Sequence, residues 1–320
     1  MTGTAHRGAG KAQQQRNIDG VLLLDKPSGI TSHTAVQRLR RLFCALKAGH
    51  TGTLDPLATG LLPVCLGEAT KFSHLLLEAD KTYLASIRLG VTTTTGDLEG
   101  EVTARAPVMV NKHEIEKVLK RFVGEILQTP PMYSAIKRGG QPLYKLARAG
   151  RELPRAPRGV VISDLTLSAL DGDELQVSVS CSKGTYVRVL AEDIGRELGC
   201  GACLSGLRRT AVGGFSLSPG AVAFEQLEPL TLPQRDALLL PADALVATLP
   251  RCELDADEAR RLRRGQPVER AEASTAGLAR IYGPNREFLG VAEVTAPGRI
   301  VPRRLKSQAA ATSSIKPSIA

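Results

Sequence analysis

The sequence predicts an α+β fold: a central mixed, mainly antiparallel sheet flanked by helices, followed by a small β-rich C-terminal domain. Three observations predict it. Strand and helix signals intermix over residues 19–215 without a strict βαβ rhythm. Pro219, Pro229, Pro233, Pro241 and Pro250 then punctuate the chain as at a domain boundary. Beyond them, a short helical stretch from Asp257 to Arg264 precedes strand signals at 278–282, 287–294 and 299–305. With 320 residues and 42% hydrophobic positions, the chain can bury one large or two smaller cores.

The elements follow in order. Residues 1–18, with a Gln run and several basic residues, read as a disordered arm, and 307–320, rich in Ser and Ala, as a disordered tail. The main body, 19–248, opens with a strand signal from Gly20 to Lys26, closed by Pro27-Ser-Gly29. A helix follows from about Ser32, where Val36, Leu39, Phe43 and Leu46 recur at helical spacing. Residues 47–60 read as a loop, with Gly49, Gly52, Pro56 and Gly60. Further strands are predicted at 61–66, 81–89, 158–170 and 174–181, and helices at 68–78, 112–124 and 185–198. The small domain, 249–306, is strongly basic through Arg260, Arg261, Arg263, Arg264, Arg303, Arg304 and Lys306.

Composition narrows the function classes. Lys and Arg number 42 against 32 acidic residues, a net charge of +10, which favours an anionic partner such as nucleic acid. No apolar run approaches the roughly 18 residues needed to cross a bilayer, and residues 1–17 lack the apolar segment of a signal peptide. The expectation is a soluble, cytoplasmic protein. Cys200 and Cys203 form a lone C-x-x-C with neither a second pair nor spaced histidines, so the six cysteines are expected to be reduced thiols, mostly buried, and not metal ligands.

Five segments carry candidate chemistry. In Gly49-His-Thr-Gly-Thr-Leu-Asp-Pro-Leu-Ala-Thr-Gly60, one carboxylate, Asp55, lies between apolar neighbours that would pack the loop on a core. A carboxylate so held serves as nucleophile or base, although Asp-Pro is also a common turn opener. His50 in the same loop is either a substrate contact or a hydrogen-bonded structural residue. Lys81-Thr-Tyr83 starts a strand with a ring able to stack on a base, and Gly90 to Gly100 is a polar turn after it. Thr129 to Gly150, basic and rich in Gly and Pro, reads as a flap at about 131–150 or as a plain surface loop. In Ser182-Lys-Gly-Thr-Tyr-Val-Arg188, the arginine stands off the helix stripe formed by Val187, Leu190, Ala191, Ile194 and Leu198. On those residues alone a solvated arginine is favoured; an ion pair with Asp55 is the alternative.

Taken together, these segments resemble the TruB family of tRNA pseudouridine synthases. The carriers are Leu24-Asp-Lys-Pro-Ser-Gly-Ile-Thr-Ser32, Gly49 to Gly60, Lys81-Thr-Tyr83 with Leu89-Gly90 and Thr95-Gly-Asp97, Pro130-Pro-Met-Tyr-Ser-Ala-Ile-Lys137, and Lys183-Gly-Thr-Tyr-Val-Arg188 with Leu207-Arg-Arg-Thr210, all in the family's order. The resemblance implies a pseudouridine synthase core with a PUA-like RNA-binding domain, weaker in resemblance, at its C-terminal end. It implies conversion of uridine 55 in the tRNA T-loop to pseudouridine on a flipped-out base, without metal or cofactor. Asp55 matches the catalytic aspartate, Tyr83 the tyrosine that packs on the base and takes a proton from C5, and Arg188 the arginine that pairs with the aspartate. His50 matches the residue that fills the space left by flipped bases, and Tyr186 and Leu207 match residues lining the uracil pocket. Lys26, Asp97 and Lys137, in the matching blocks, are assigned to substrate binding. The resemblance leaves open whether the carboxylate adds to C6, attacks C1′ or removes a C2′ proton. A related catalytic subunit of guide-RNA particles shares the core, and an RNA chaperone role is a third reading. The short tail without a Lys-rich extension favours a stand-alone enzyme, with no guide RNA and a monomeric state expected.

Overall fold

The computed structural model describes residues 14–134, 136–270, 276–295 and 298–307. Strand β1 (Gly20–Lys26) is a nearly continuous apolar run because both its faces are covered. Leu22 and Leu24 pack toward helix α1 (Ser32–Leu42), and Val21 and Leu23 pack on the opposite layer. Thr31 caps α1 by accepting a hydrogen bond from the Thr34 amide at 3.0 Å. Short β2 (Ala48–His50) and long β3 (Thr59–Leu66) flank the loop that carries Asp55. Helix α2 is only Ser73–Leu77, preceded by a 3-10 turn at Gly67–Lys71, where a single helix was expected over 68–78. The hydroxyls of Thr70 and Ser73 donate back to Gly67 O and Thr70 O, which competes with regular helix bonding.

Strand β4 (Lys81–Leu89) leads through the hairpin β5 (Val91–Thr93) and β6 (Val102–Arg105) to α3 (Lys112–Arg121), whose Asn111 and Glu114 form a reciprocal cap. The expected helix to 124 stops at Arg121, and β7 (Gly124–Gln128) starts at a glycine with φ +109°. The flap carries the small hairpin β8 (Lys137–Arg138) and β9 (Gln141–Pro142), then α4 (Leu143–Arg148). Ala135 lies outside the described residues. Strands β10 (Arg158–Asp171) and β11 (Glu174–Cys181) form a long hairpin, followed by α5 (Val187–Glu197), β12 (Ala202–Val212) and β13 (Phe215–Ser216).

The main sheet runs β1-β3-β12-β4-β11-β10-β7, with β2 on β3 and β13 on β12. All its pairings are antiparallel except β3 with β12, where Arg208 and Arg209 lie beside Thr59 and Gly60. Helices α3 and α5 cover one part of the sheet through Ile115, Leu119, Leu190 and Ile194. Short helices α6 (Phe224–Leu227) and α7 (Leu232–Asp236) fold the proline-rich segment back onto β1, through the Val21–Leu240 and Leu24–Val222 bridges.

The C-terminal part is a second sheet, β14-β16-β17-β18-β15, built from β14 (Arg251–Glu253), β15 (Val268–Glu269), β16 (Gly277–Tyr282), β17 (Phe288–Thr295) and β18 (Arg299–Leu305). With α8 (Ala256–Arg263) it encloses its own core around Leu262, Ile281, Ala292 and Ile300. It docks on the main body through Phe288, 5.2 Å from the Phe72 ring, and through the Tyr282 hydroxyl, which donates to Asp243 at 2.6 Å. Much of its basic character is neutralised within the protein. Arg260, Arg263, Arg303 and Lys306 pair with Asp257, Glu287, Glu293 and Asp19.

Both terminal expectations need correction at their inner edges. Arg16 was placed in a disordered arm, but it clamps Asp236 with two bonds of 2.5 Å and donates to Phe43 O at 2.9 Å. Ser307 was placed in the tail, but it accepts a bond from Lys71 Nζ at 2.8 Å. Residues 1–13 and 308–320, the remainder of the expected arm and tail, lie outside the described residues.

Gly60 makes the parallel contact possible. At φ +98°, a Cβ there would stand 2.3 Å from the Arg209 carbonyl oxygen and 2.8 Å from its nitrogen. Gly60→Ala is expected to cost about 3 kcal/mol or more, read as a lowered urea unfolding midpoint.

Candidate active site

The 49–60 loop is held from two sides. On one side is the segment after β1. The Gly29 amide donates to Pro56 O at 2.9 Å, and Ser32 Oγ both donates to Leu54 O and accepts from the Leu54 amide at 3.0 and 2.8 Å. Lys26 is fully buried, and its ammonium donates to Pro27 O and Ile30 O at 2.8 Å and to Pro56 O at 3.5 Å. On the other side, Arg209 donates from Nε to Leu61 O at 2.7 Å and from Nη2 to Gly52 O at 3.1 Å. Leu54 is buried beneath the loop while the Asp55 carboxylate stays 43% exposed at its crest.

Arg188, in the first turn of α5, reaches that carboxylate. Its Nη2 lies 3.1 Å from Asp55 Oδ2 and its Nη1 3.4 Å from Asp97 Oδ2. It also donates to Thr95 O at 3.1 Å and to Tyr133 O at 2.7 Å. The side chain is 6% exposed, so the solvated arginine favoured by helix spacing is corrected. The stripe of α5 describes packing on the sheet, whereas the flank bearing Arg188 is covered by loops distant in sequence. Asp97 is held in turn by the Thr95 hydroxyl at 2.6 Å and the Glu99 amide at 3.1 Å.

Beside Asp55 opens a cavity of about 260 Å³, lined by Tyr83, Tyr133, Tyr186, Arg188, Leu207 and Arg209 among others. Its floor is one face of the sheet. In the β4–β12 ladder Tyr83 lies opposite Arg209, and Ala85 opposite Leu207. Tyr186 precedes α5, and its backbone is fixed by Gln128, whose amide side chain accepts from Tyr186 N at 3.0 Å and donates to Tyr186 O at 3.3 Å. The Arg158 guanidinium lies 5.2 Å from the Tyr186 ring centre.

Of the nine residues singled out in the sequence, the cavity gathers Asp55, Tyr83, Tyr186, Arg188 and Leu207. Asp97 and Lys26 stand behind it as buried supports of Arg188 and of the loop. A direct substrate contact was expected of both; in the structure both are buried, Asp97 against Arg188 and Lys26 against the loop's carbonyls. His50 closes β2 at the start of the loop, its Nδ1 accepting from the Gly52 amide at 3.2 Å. Lys137 is exposed on β8, away from the cavity lining. Sequence reading gave no separate role to Arg209, Lys81, Tyr133 or Ser32. For Arg209 the available signal was its alternation with Leu207, which puts both on one face of a strand.

Electrostatics follow burial. Burial pushes the Lys26 ammonium down to about 8, opposed by the Asp55 charge. Burial, then the Arg209 charge, then His33 hold His50 below the ordinary histidine value. Burial raises the Tyr83 phenol, and Arg209 opposes that rise. The thiols of Cys65 and Cys181 are pushed up to about 12 and about 11, so neither is poised as a nucleophile.

Sequence comparison decides the family. Residues 40–187 match the TruB family pseudouridylate synthase N-terminal domain, 188–247 the tRNA pseudouridylate synthase B C-terminal domain, and 250–305 the pseudouridine synthase II TruB C-terminal domain. The chain belongs to the TruB family. Relatives named tRNA pseudouridine synthase B include proteins of Methylobacillus flagellatus, 56% identical over 92% of this chain and 97% of that one, and Aromatoleum aromaticum, 56% identical over 93% and 96%. The TruB fold also matches a crystal structure of a Cbf5–Nop10–Gar1 complex, with a TM-score of 0.69 at 26% identity over 90% of this chain and 84% of that one. Among the described residues no helix is long and apolar enough to cross a membrane.

Two outcomes test the site's construction. Arg188→Met strands Asp97 as a buried unpaired charge, so a loss of about 3–5 kcal/mol in unfolding free energy is expected, against about 1–2 kcal/mol for Asp97→Asn. For Lys26, the fold binds fewer protons than the unfolded chain between pH 8 and 10.5. Its contribution to stability therefore rises with pH across that window. The unfolding free energy of wild type minus that of Lys26→Met should be larger near pH 10 than near pH 7, both set as approximate end points by denaturant titration.

Proposed function

We propose that this enzyme isomerises uridine 55 in the T-loop of tRNA to pseudouridine, acting on a flipped-out base without a guide RNA. Membership of the TruB family makes it a pseudouridylate synthase. The tRNA substrate is inferred from relatives that share 50–56% identity over nearly their whole length and carry that substrate in their names. The observation that carries the reading is the Asp55 carboxylate, fixed by a buried guanidinium at the mouth of a cavity of about 260 Å³ lined by Tyr83, Tyr186 and Leu207. A guided enzyme is the weaker reading, because the structure of the Cbf5 complex is only 26% identical.

In this reading the uracil lies against Tyr83 and Leu207, with Tyr186 at the wall. Unstacking the base costs on the order of a few kcal/mol. His50, held neutral near pH 7 by its lowered pKa, fills the vacated stack without bringing a charge into it. Lys137 on the flap meets the phosphate backbone. Asp55 acts on the ribose or on C6, and the N1–C1′ bond breaks. The freed ring turns, C5 bonds to C1′, and the C5 proton passes to Tyr83. The electron pair of that C–H bond restores C5=C6, and N1 takes up a proton. Atoms and charge balance without oxidant or reductant. Arg188 keeps the carboxylate aimed throughout, and Asp97 and Lys26 keep Arg188 and the loop in place.

Single-turnover release of tritium from C5-labelled uridine in unmodified tRNA tests this. Wild type is expected to release tritium with no guide RNA, and Asp55→Asn to be slower by at least about a thousandfold with tRNA binding retained. Equal release by both would remove Asp55 from the chemistry.

A further inference from the structure

Arg209 has no part in the scheme above beyond clamping the loop, yet its placement is costly. The side chain is 1% exposed, and among the described residues no carboxylate pairs with it. A buried guanidinium without a counter-charge is disfavoured by desolvation. Its bonds to Leu61 O and Gly52 O are ones that a neutral amide could also donate. The positive charge therefore calls for a separate explanation, and its neighbour supplies one. Arg209 lies directly opposite Tyr83 across the β4–β12 ladder, so both side chains project from the same face. Both line the cavity.

We propose that Arg209 is a positioning residue for Tyr83, its guanidinium holding the phenol at the cavity floor and stabilising the phenolate that takes the proton from C5. The proposal rests on the reading of Tyr83 as the proton acceptor. The proton moves from C5 to the phenolate oxygen, and the C–H electron pair stays in the ring as described. Tyr83 then returns its proton to solvent.

The groups facing Tyr83 are few. Lys81 lies on the same strand, Arg209 on β12, Cys181 at the end of β11, Asp55 on the loop and Arg188 on α5. Burial, Cys181 and Asp55 all disfavour the phenolate, and Arg209 is the group that acts against them. The converse holds for Arg209. Burial disfavours its charge, and Tyr83 is what supports it.

The test compares pH profiles of single-turnover tritium release for wild type, Arg209→Lys and Arg209→Gln, with unfolding midpoints measured alongside. Arg209→Gln should move the rising limb to higher pH by at least about one unit, which is about tenfold in rate near neutrality. Arg209→Lys, which keeps a cation, should move it less. A ring-fluorinated tyrosine at position 83, a more acidic phenol, should restore the rate of either variant. Uniform slowing with an unmoved limb and no rescue would overturn the proposal and leave Arg209 as a loop clamp. Should Arg209→Gln not fold, Arg209→Lys with and without the fluorinated residue decides between the same outcomes. Tyr83→Phe separates the two layers. Full activity in that variant would sink the proton-acceptor role of Tyr83. The tyrosinate absorbance titration of wild type minus Tyr83→Phe, repeated in the Arg209→Lys background, still reports whether Arg209 sets the phenol's acidity.

Discussion

One guanidinium joins the parts of this molecule that would otherwise be independent loops. Arg188 meets the Asp55 carboxylate, the Asp97 carboxylate, the carbonyl of Thr95 and the carbonyl of Tyr133. Those partners come from the loop between β2 and β3, the turn after β5, and the entry to the flap. Each partner alone would be a mobile polar group on an irregular backbone. Bound to one rigid planar cation on a helix anchored by Leu190 and Ile194, they share a single geometry. Desolvating that cation is repaid only when the whole set is present, so the interaction specifies an arrangement more than it adds stability.

Around this point the enzyme places an excess of buried positive charge. Lys26, Lys81, Arg188 and Arg209 are all buried near the cavity, against the carboxylates of Asp55 and Asp97. Three of these cations are satisfied by backbone carbonyls, an arrangement that fixes loops without consuming the charge. The field that remains suits a polyanionic substrate, and it is local to the cavity. The C-terminal sheet differs, because many of its arginines are spent on neighbouring carboxylates.

Much of this was legible in the sequence, where local pattern and local structure coincide. The hairpin β10–β11, the helix from Ser32 and the last strands follow from alternation, spacing and punctuation. Asp55 stood out because a single carboxylate lay in an apolar, glycine-broken loop. What escaped was set by distant partners. Strand β12 carries Gly206, Arg208 and Arg209 and was not recognised, because its arginines are satisfied by Asp25 and by carbonyls across the sheet. On helix spacing alone Arg188 read as solvated for the same reason, the pairing with Asp55 coming from the resemblance, and Pro27-Ser-Gly29 read as a plain turn although Lys26 and Ser32 on either side of it cradle the loop. Arg16 read as part of a floppy arm because its carboxylate partner is Asp236.

The one parallel strand pairing of the main sheet, β3 with β12, also bears on how the protein comes into being. Arg209 reaches back 148 residues to Leu61 and 157 to Gly52. During synthesis, the loop bearing Asp55 emerges long before the strand that completes its clamp and the floor of its cavity. A nascent chain halted before β12 holds an aspartate with no pocket. Contacts of such span close slowly and late, so the Asp55 carboxylate gains its surroundings only once nearly the whole main body has been made. A fragment that ends before β12 therefore carries the Asp55 loop without the floor of its cavity.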